Sequence, residues 1–198
     1  GGALAARPSR AQEELLGELK TVSKVQFEGV HHIAHGTLRR QIKTQGPSFW
    51  PWHSKPTLRM DFIRSDTLAI AAFYRHYGYL DASVNVRVAT TEKANEVAVT
   101  FVVEEGTEYR IRDVALEGLS SYPPDQLRRK LWARTGKPFD PSYLQLDTLR
   151  ISQLYQDRGF RPHVRASFHT ATDSVSVRYE VSEGPLYHVG DVYLFSQS

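Results

Sequence analysis

The feature that most constrains this chain is that it is written twice. Val22-Ser23-Lys24-Val25-Gln26-Phe27-Glu28-Gly29 lies over Ile111-Arg112-Asp113-Val114-Ala115-Leu116-Glu117-Gly118 at an offset of 89, and the same offset lays Leu38-Arg39-Arg40-Gln41-Ile42 over Leu127-Arg128-Arg129-Lys130-Leu131. The offset then falls to 81, where Asp66-Thr67-Leu68 meets Asp147-Thr148-Leu149, and Phe73-Tyr74 with Gly78-Tyr79 meets Leu154-Tyr155 with Gly159-Phe160. The first copy therefore carries eight more residues between those blocks than the second. At an offset of 78, Val97, Val99, Phe101, Val103, Glu105 and Gly106 meet Val175, Val177, Tyr179, Val181, Glu183 and Gly184. Val189-Gly190-Asp191-Val192-Tyr193-Leu194 opens a third copy. Self-similarity at this period means a supersecondary unit used repeatedly.

Each copy has the same coarse plan. A short alternating run closed by glycine (Val22 to Glu28, Ile111 to Glu117) reads as a strand. A short helix follows. Pro123-Pro124 suits its start in the second copy, and Leu127, Leu131 and Trp132 are expected on its buried face. A longer helix comes next. Asp140-Pro141 reads as an N-cap followed by proline at the first helical position. Leu144, Thr148, Ile151 and Tyr155 make the expected buried stripe, and Gly159 the stop. In the first copy Phe62, Asp66, Ala69 and Phe73 are the counterparts, and Gly78 the stop. Two alternating strands complete the unit, joined in the first copy by the polar link Thr90 to Asn95. The order is β-α-α-β-β, an α+β fold. The boundaries are 22–106 and 107–184, with 1–21 as a tail or the end of a preceding unit and 185–198 as the first strand of a further one.

Units of about 80 residues bury only ~60–65% of their unfolded surface, so each should gain from a neighbour. Hydrophobic residues make up 40% of the 198 and charged residues 24%, which is ordinary globular composition. No apolar run approaches the length of a membrane-spanning helix. The opening Gly1 to Ala6 is too short for a secretory h-region, which implies a mature or excised piece, or a cytosolic chain. The absence of cysteine removes disulfides, thiolate zinc sites and cysteine nucleophiles. A net charge of +3 without a dense basic block argues against nucleic acid as partner.

The ordered set of Phe27-Glu28-Gly29 and Leu116-Glu117-Gly118, the helix-end aromatics with Gly78-Tyr79 and Gly159-Phe160, and Glu-Glu-Gly at 104–106 with Ser-Glu-Gly at 182–184 resembles the POTRA domain, the polypeptide-transport-associated module. The resemblance covers residues 22–195. It implies the periplasmic POTRA arrays of BamA-like and TamA-like outer-membrane proteins, with tandem units that are each a three-stranded mixed sheet covered by two helices. The first strand would lie on one edge, the third in the centre and the second on the other edge. It further implies a periplasmic part of a Gram-negative outer-membrane protein. That part would receive unfolded outer-membrane proteins, dock periplasmic chaperones or accessory lipoproteins, and precede its own membrane β-barrel. No cofactor is implied. A passive scaffold or lipoprotein-docking arm, or the POTRA of a secretion or cell-division component, are the alternatives.

On that reading clients would add to the free edge of Ser83, Val84, Asn85, Val86, Arg87 and Val88 by β-augmentation, since backbone bonding reads no sequence. The three valines would be core, with Arg87, Glu92 and Lys93 the edge's only guards. Proline at Asn85 would be the first test, because it removes no core side chain. The extra segment with Phe49, Trp50 and Trp52 looks like the longer, Trp-bearing inter-helix loop of an inner POTRA unit. It is either a partner-docking loop or a plug on the helices. Gly106 with Tyr109, and Gly184 with Tyr187, are expected at the inter-unit joints.

Other residue sets have plainer readings. His31-His32-x-x-His35 lacks the glutamate of a His-Glu-x-x-His metal site and reads as a solvated loop. Asp61, Asp66 and Asp81 do not form a catalytic set. Asp66 recurs as Asp147 inside a helix, which favours a surface or packing role. Arg39-Arg40 and Arg128-Arg129-Lys130 read as solvated helix faces, with an acidic partner or membrane surface as the sharper alternative. No catalysis is expected.

Overall fold

The computed structural model describes residues 20–47, 56–93 and 95–187. The chain divides into a first unit ending at Thr107 and a second beginning at Glu108, which also takes in His76–Gly78. The first unit runs β1 (Thr21–Glu28), α1 (His35–Arg39), α2 (Met60–His76), β2 (Ser83–Thr90) and β3 (Glu96–Glu104). The second runs β4 (Arg110–Glu117), α3 (Pro124–Arg128), α4 (Ser142–Gln156), β5 (His163–Ala171) and β6 (Ser174–Ser182). Sheet order is β1-β3-β2 in one and β4-β6-β5 in the other. The central strand pairs parallel with the first strand of its unit and antiparallel with the second. These are the three-stranded mixed sheets that the family resemblance implied.

Correspondence extends to irregularities. Register slips between Val22 and Lys24 in β1, and between Ile111 and Asp113 in β4, leave a bulge at the same repeat position. Gly29 and Gly118 end β1 and β4 at φ +72 and +76, and a Cβ on either would sit 2.1 Å from the carbonyl oxygen of Val103 or Val181. Only glycine lets the chain turn there against the central strand, which is the physical content of the Glu-Gly pairs.

The core lies between sheet and helices. Val22, Phe27, Leu38, Ile70, Tyr74 and Phe101 anchor the first, and Ile111, Leu127, Phe139, Ile151, Tyr155 and Tyr179 the second. Each such side chain contributes about 1.5–3 kcal/mol through burial. The stripe of α2 is Ile63, Asp66, Ile70 and Tyr74, one residue along from the expected Phe62, Ala69 and Phe73, which flank it half-buried. On α4, Ile151 and Tyr155 are buried as expected, Leu144 and Thr148 are half-buried, and Asp147 joins the buried set. The Asp140 carboxylate accepts the Ser142 N–H at 2.9 Å, so the cap acts on the first turn with Pro141 at the boundary.

Trp132 departs from expectation. The helix α3 ends at Arg128, so the helical spacing that would bury Trp132 beside Leu127 and Leu131 does not reach it. Its ring is 61% exposed while Leu131 is buried.

Candidate functional site

An edge strand can accept another chain only through backbone groups that face away from its own sheet. In an antiparallel ladder these belong to alternate residues. The phase in unit one is set at the turn, where the Thr91 N–H donates to the Glu96 oxygen at 3.0 Å. Pairing runs without a slip from there to Ser83↔Glu104. Ala89, Arg87, Asn85 and Ser83 therefore bond inward to β3, and Val88, Val86 and Val84 present N–H and C=O to the open edge. Unit two gives the same phase independently. Its two-residue turn at Thr172-Asp173 joins Ala171 to Ser174, and such turns close on a hydrogen-bonded pair. The outward residues of β5 are then Val164, Ala166 and Phe168.

Asn85 is thus an inward-bonding residue, and proline there deletes a ladder bond. The valines have two roles: their side chains lie half-buried against the core and their backbones face out. Among the described residues, no backbone hydrogen bond from outside β3 reaches Ser83–Thr90. The opposite edge is covered at its start. The Val22 N–H donates to Pro56 and the Leu58 N–H to Lys20, both at 2.7 Å, and the Ile111 N–H donates to Lys137 at 2.8 Å. Of the expected guards, Arg87 is drawn to Glu28 at 3.2 Å, and Lys93 lies 3.9 Å from Glu96.

Two carboxylates per unit fix the loops behind the sheet. Glu105 accepts the N–H groups of His31 and His32 at 2.9 and 3.1 Å, the Tyr74 hydroxyl at 2.7 Å and His32 Nδ1 at 2.6 Å. Glu183 accepts the N–H groups of Ser120 and Ser121 at 2.6 and 2.7 Å, the Ser121 hydroxyl at 2.6 Å and the Tyr155 hydroxyl at 2.9 Å. Burial works against each charge, but the converging donors outweigh it and bring both carboxyls down to about 2. Burial and the neighbouring carboxylate push the Tyr74 and Tyr155 phenols up. Asp66 takes the amides of Lys43 and Thr44, both at 2.7 Å, and Asp147 those of Trp132 and Ala133 at 2.6 and 2.9 Å. These acids are structural clamps. Sequence reasoning placed Asp66 and Asp147 on a helix but missed what they hold. Their recurrence at one repeat position was the available signal.

The other singled-out residues are dispersed. Phe49, Trp50 and Trp52 lie outside the described residues. Asp61 is exposed and paired with Arg59 at 2.7 Å, while Asp81 lies beside Gly106. His32 leans on Tyr79 with ring centroids 5.5 Å apart, and His35 meets the Phe27 ring edge at 6.0 Å, while all three histidines stay exposed to solvent. Arg39 and Arg128 each reach back to the first strand of their unit, donating to the Val25 and Val114 oxygens at 3.2 and 3.3 Å. Gly106 and Gly184 turn at φ +73 and +70. Tyr109 donates its N–H to Gly78 at 2.8 Å. Tyr187 does the same to Gly159 at 2.8 Å, with the Arg161 guanidinium 4.7 Å over its ring.

Two copies of a β-α-α-β-β module, each a three-stranded mixed sheet with its second strand at an edge, define a tandem-repeat α+β array. The chain belongs to the POTRA family, whose model, described as surface antigen variable number repeat, matches residues 20–106 and again 109–184. It is similar to the outer membrane protein assembly factor BamA of Nitratidesulfovibrio vulgaris, 23% identical over 145 residues, 70% of this chain and 18% of that protein. The BamA of Neisseria meningitidis serogroup B is 23% identical over 127 residues, 63% of this chain and 16% of that one. The chain spans less than a quarter of the length of the curated relatives it matches. The crystal structure of BamA from Haemophilus ducreyi lacking POTRA domains 1–3 shares the fold at a TM-score of 0.57 and 19% identity, over 82% of this chain and 29% of that one.

Proposed function

We propose that the chain is a periplasmic POTRA region of a BamA-like outer-membrane assembly protein. On this reading it is not an enzyme. It receives unfolded outer-membrane proteins as added strands, docks chaperones or accessory lipoproteins, and passes clients to a membrane barrel. The family membership supports the setting. The observation that supports the mechanism is the uncovered β2 edge, with the backbone groups of Val84, Val86 and Val88 facing out. An extended client would bond to those groups whatever its side chains, which suits a receptor for many sequences.

The test is Val86→Pro, with Val86→Ala as the control for the lost half-buried side chain. Proline on an outward-facing residue removes a donor from the open edge and leaves the β3 ladder intact. Binding of extended barrel-strand peptides should weaken on the order of tenfold in the proline variant and stay near the parent level in the alanine variant. Equal binding by a folded Val86→Pro protein would remove β2 as the receptor. Asn85→Pro should instead lower the melting temperature, because its N–H bonds inward.

A further inference from the structure

The second unit carries a groove on its helical side that the edge reading does not use. It is about 420 Å³ and is lined by Lys130, Leu131, Trp132, Arg134, Leu146, Leu149, Arg150 and Gln153. Three large apolar side chains open onto it: Trp132 and Leu149 at 61% exposure and Leu146 at 44%. Its charged lining is three cations and no acid. Arg134 donates to the Leu131 and Arg129 carbonyl oxygens. Among the described residues, no ion pair engages Lys130, Arg134 or Arg150.

The fold does not require this surface. The repeat positions of Lys130, Trp132, Arg134, Leu146 and Arg150 are Gln41, Lys43, Gln45, Ser65 and Ala69 in the first unit, so three cations stand where unit one has one. The clamp beneath is the same in both, since Asp147 and Asp66 hold the equivalent amides. Charge and apolar bulk have been added to a backbone that folds without them.

We propose that this groove docks an acidic segment of a partner protein. One or two bulky apolar side chains would lie over Trp132 and Leu149, and flanking carboxylates would meet Lys130, Arg134 and Arg150. Charge complementarity selects the partner's sign, and an exposed Trp beside Arg is the composition of a binding hot spot. The concavity favours a protruding segment over a flat lipid surface. The groove belongs to the second unit and β2 to the sheet of the first, with no residue in common, so this proposal stands or falls separately from strand addition.

The probe is a labelled 12-residue peptide with Leu and Phe four apart among four Glu. It is titrated against the 198-residue chain by fluorescence anisotropy, beside versions with Lys for Glu and with Ser for Leu and Phe. The acidic apolar peptide should bind best. Lys130→Glu combined with Arg150→Glu should weaken it on the order of tenfold, and the Gln pair about threefold. Leu149→Ser should weaken it too, while Leu68→Ser at the equivalent site of unit one should not. Binding of barrel-strand peptides should be unchanged in the groove variants, which separates the two sites. Three results would overturn the proposal. They are equal binding of the acidic and basic peptides, an unchanged affinity in both charge variants, or groove-dependent binding of phosphatidylglycerol vesicles in place of the peptide.

Discussion

The two units share the acids and glycines that fix their backbones and differ in many of the side chains around them. Both hold the loop after the first strand with a glutamate from the end of the central strand, and both hold the segment after the short helix with an aspartate from the long helix. Both turn on a glycine against the central strand. The amides held by Asp66 and Asp147 are buried or half-buried and would otherwise lack partners, so these acids recur where the side chains around them drift. Besides the eight more residues of the first copy, three things differ. A tyrosine in unit two, Tyr179, donates to Asp147 at 2.8 Å where unit one has Phe101. The hairpin turn is shorter in unit two. The groove of Trp132 carries three cations where the equivalent positions of unit one carry one, Lys43. What the repeat retains is therefore the satisfaction of backbone groups, and what it varies is exposed side chains, turn length and one buried pair, Tyr179 for Phe101.

Removing a clamp should produce the largest effect and test whether the clamps are equivalent. Asp147→Ala strands the Trp132 and Ala133 amides and the Tyr179 hydroxyl, at a cost of about 4 kcal/mol to unit two. Asp66→Ala strands the amides of Lys43 and Thr44 and should cost about 3 kcal/mol in unit one. Urea unfolding followed unit by unit would measure both. A loss under 1 kcal/mol in either would break the idea that the acids are what the repeat preserves.

Next in size is acid sensitivity. Glu105 and Glu183 have folded values near 2 against an ordinary 4.5. A depressed carboxyl contributes stability that is full above its unfolded value and disappears as pH falls through the folded one. The window here is pH 4.5 down to 2. Glu105, with a side chain only 5% exposed, is worth about 2–3 kcal/mol in that window, and the more exposed Glu183 less. Melting at pH 7 and pH 3 should show unit one losing more, and Glu105→Gln should flatten its profile. The same acid loss in parent and Glu105→Gln would place the sensitivity elsewhere.

A smaller step converts one clamp into the other. Tyr179→Phe gives unit two the phenylalanine of unit one and leaves Asp147 with its two amides. A lost hydrogen bond to a carboxylate, partly offset by the retained ring, should cost about 1–2 kcal/mol. A neutral result would mean that the hydroxyl and the carboxylate gain nothing net from each other once burial of both is counted.

Much of this architecture was readable in the chain itself. Alternating valines marked the strands, Gly29, Gly78, Gly118 and Gly159 marked the stops, and the repeat showed that one solution served twice. The family resemblance supplied the strand order. The clamps were harder to see, because an aspartate in a helical stripe looks like a surface residue until the amides it faces are known, and those lie 14 to 23 positions away in sequence. The ladder phase was not legible either. Alternation shows which side chains face the core but not which backbone groups face out, and Asn85 and Val86 are told apart only by the bond at Thr91. Trp132 misled because helical spacing was extended past the residue where α3 ends.

The smallest expected effect lies at the second hairpin. Unit one joins its antiparallel strands through four residues after Thr91, whereas unit two uses two, Thr172 and Asp173. A two-residue turn matched to the twist of the strands needs positive φ, and Thr172 sits at φ +56, the one non-glycine residue so placed among the described residues. A β-branched side chain is poorly suited to that region, while asparagine enters it readily and keeps a side chain to restrict the unfolded chain. Thr172→Asn should therefore stabilise unit two by about 0.5–1 kcal/mol, without changing unit one or the pairing of Ala171 with Ser174. Glycine at the same place should gain less, since its greater freedom in the unfolded state offsets part of the relief. The order Asn, Gly, Thr in chemical denaturation would support a strained turn. Threonine as the most stable of the three would mean that its hydroxyl or methyl makes a contact outweighing the backbone cost, and that the shorter turn is not the weak point of the second unit.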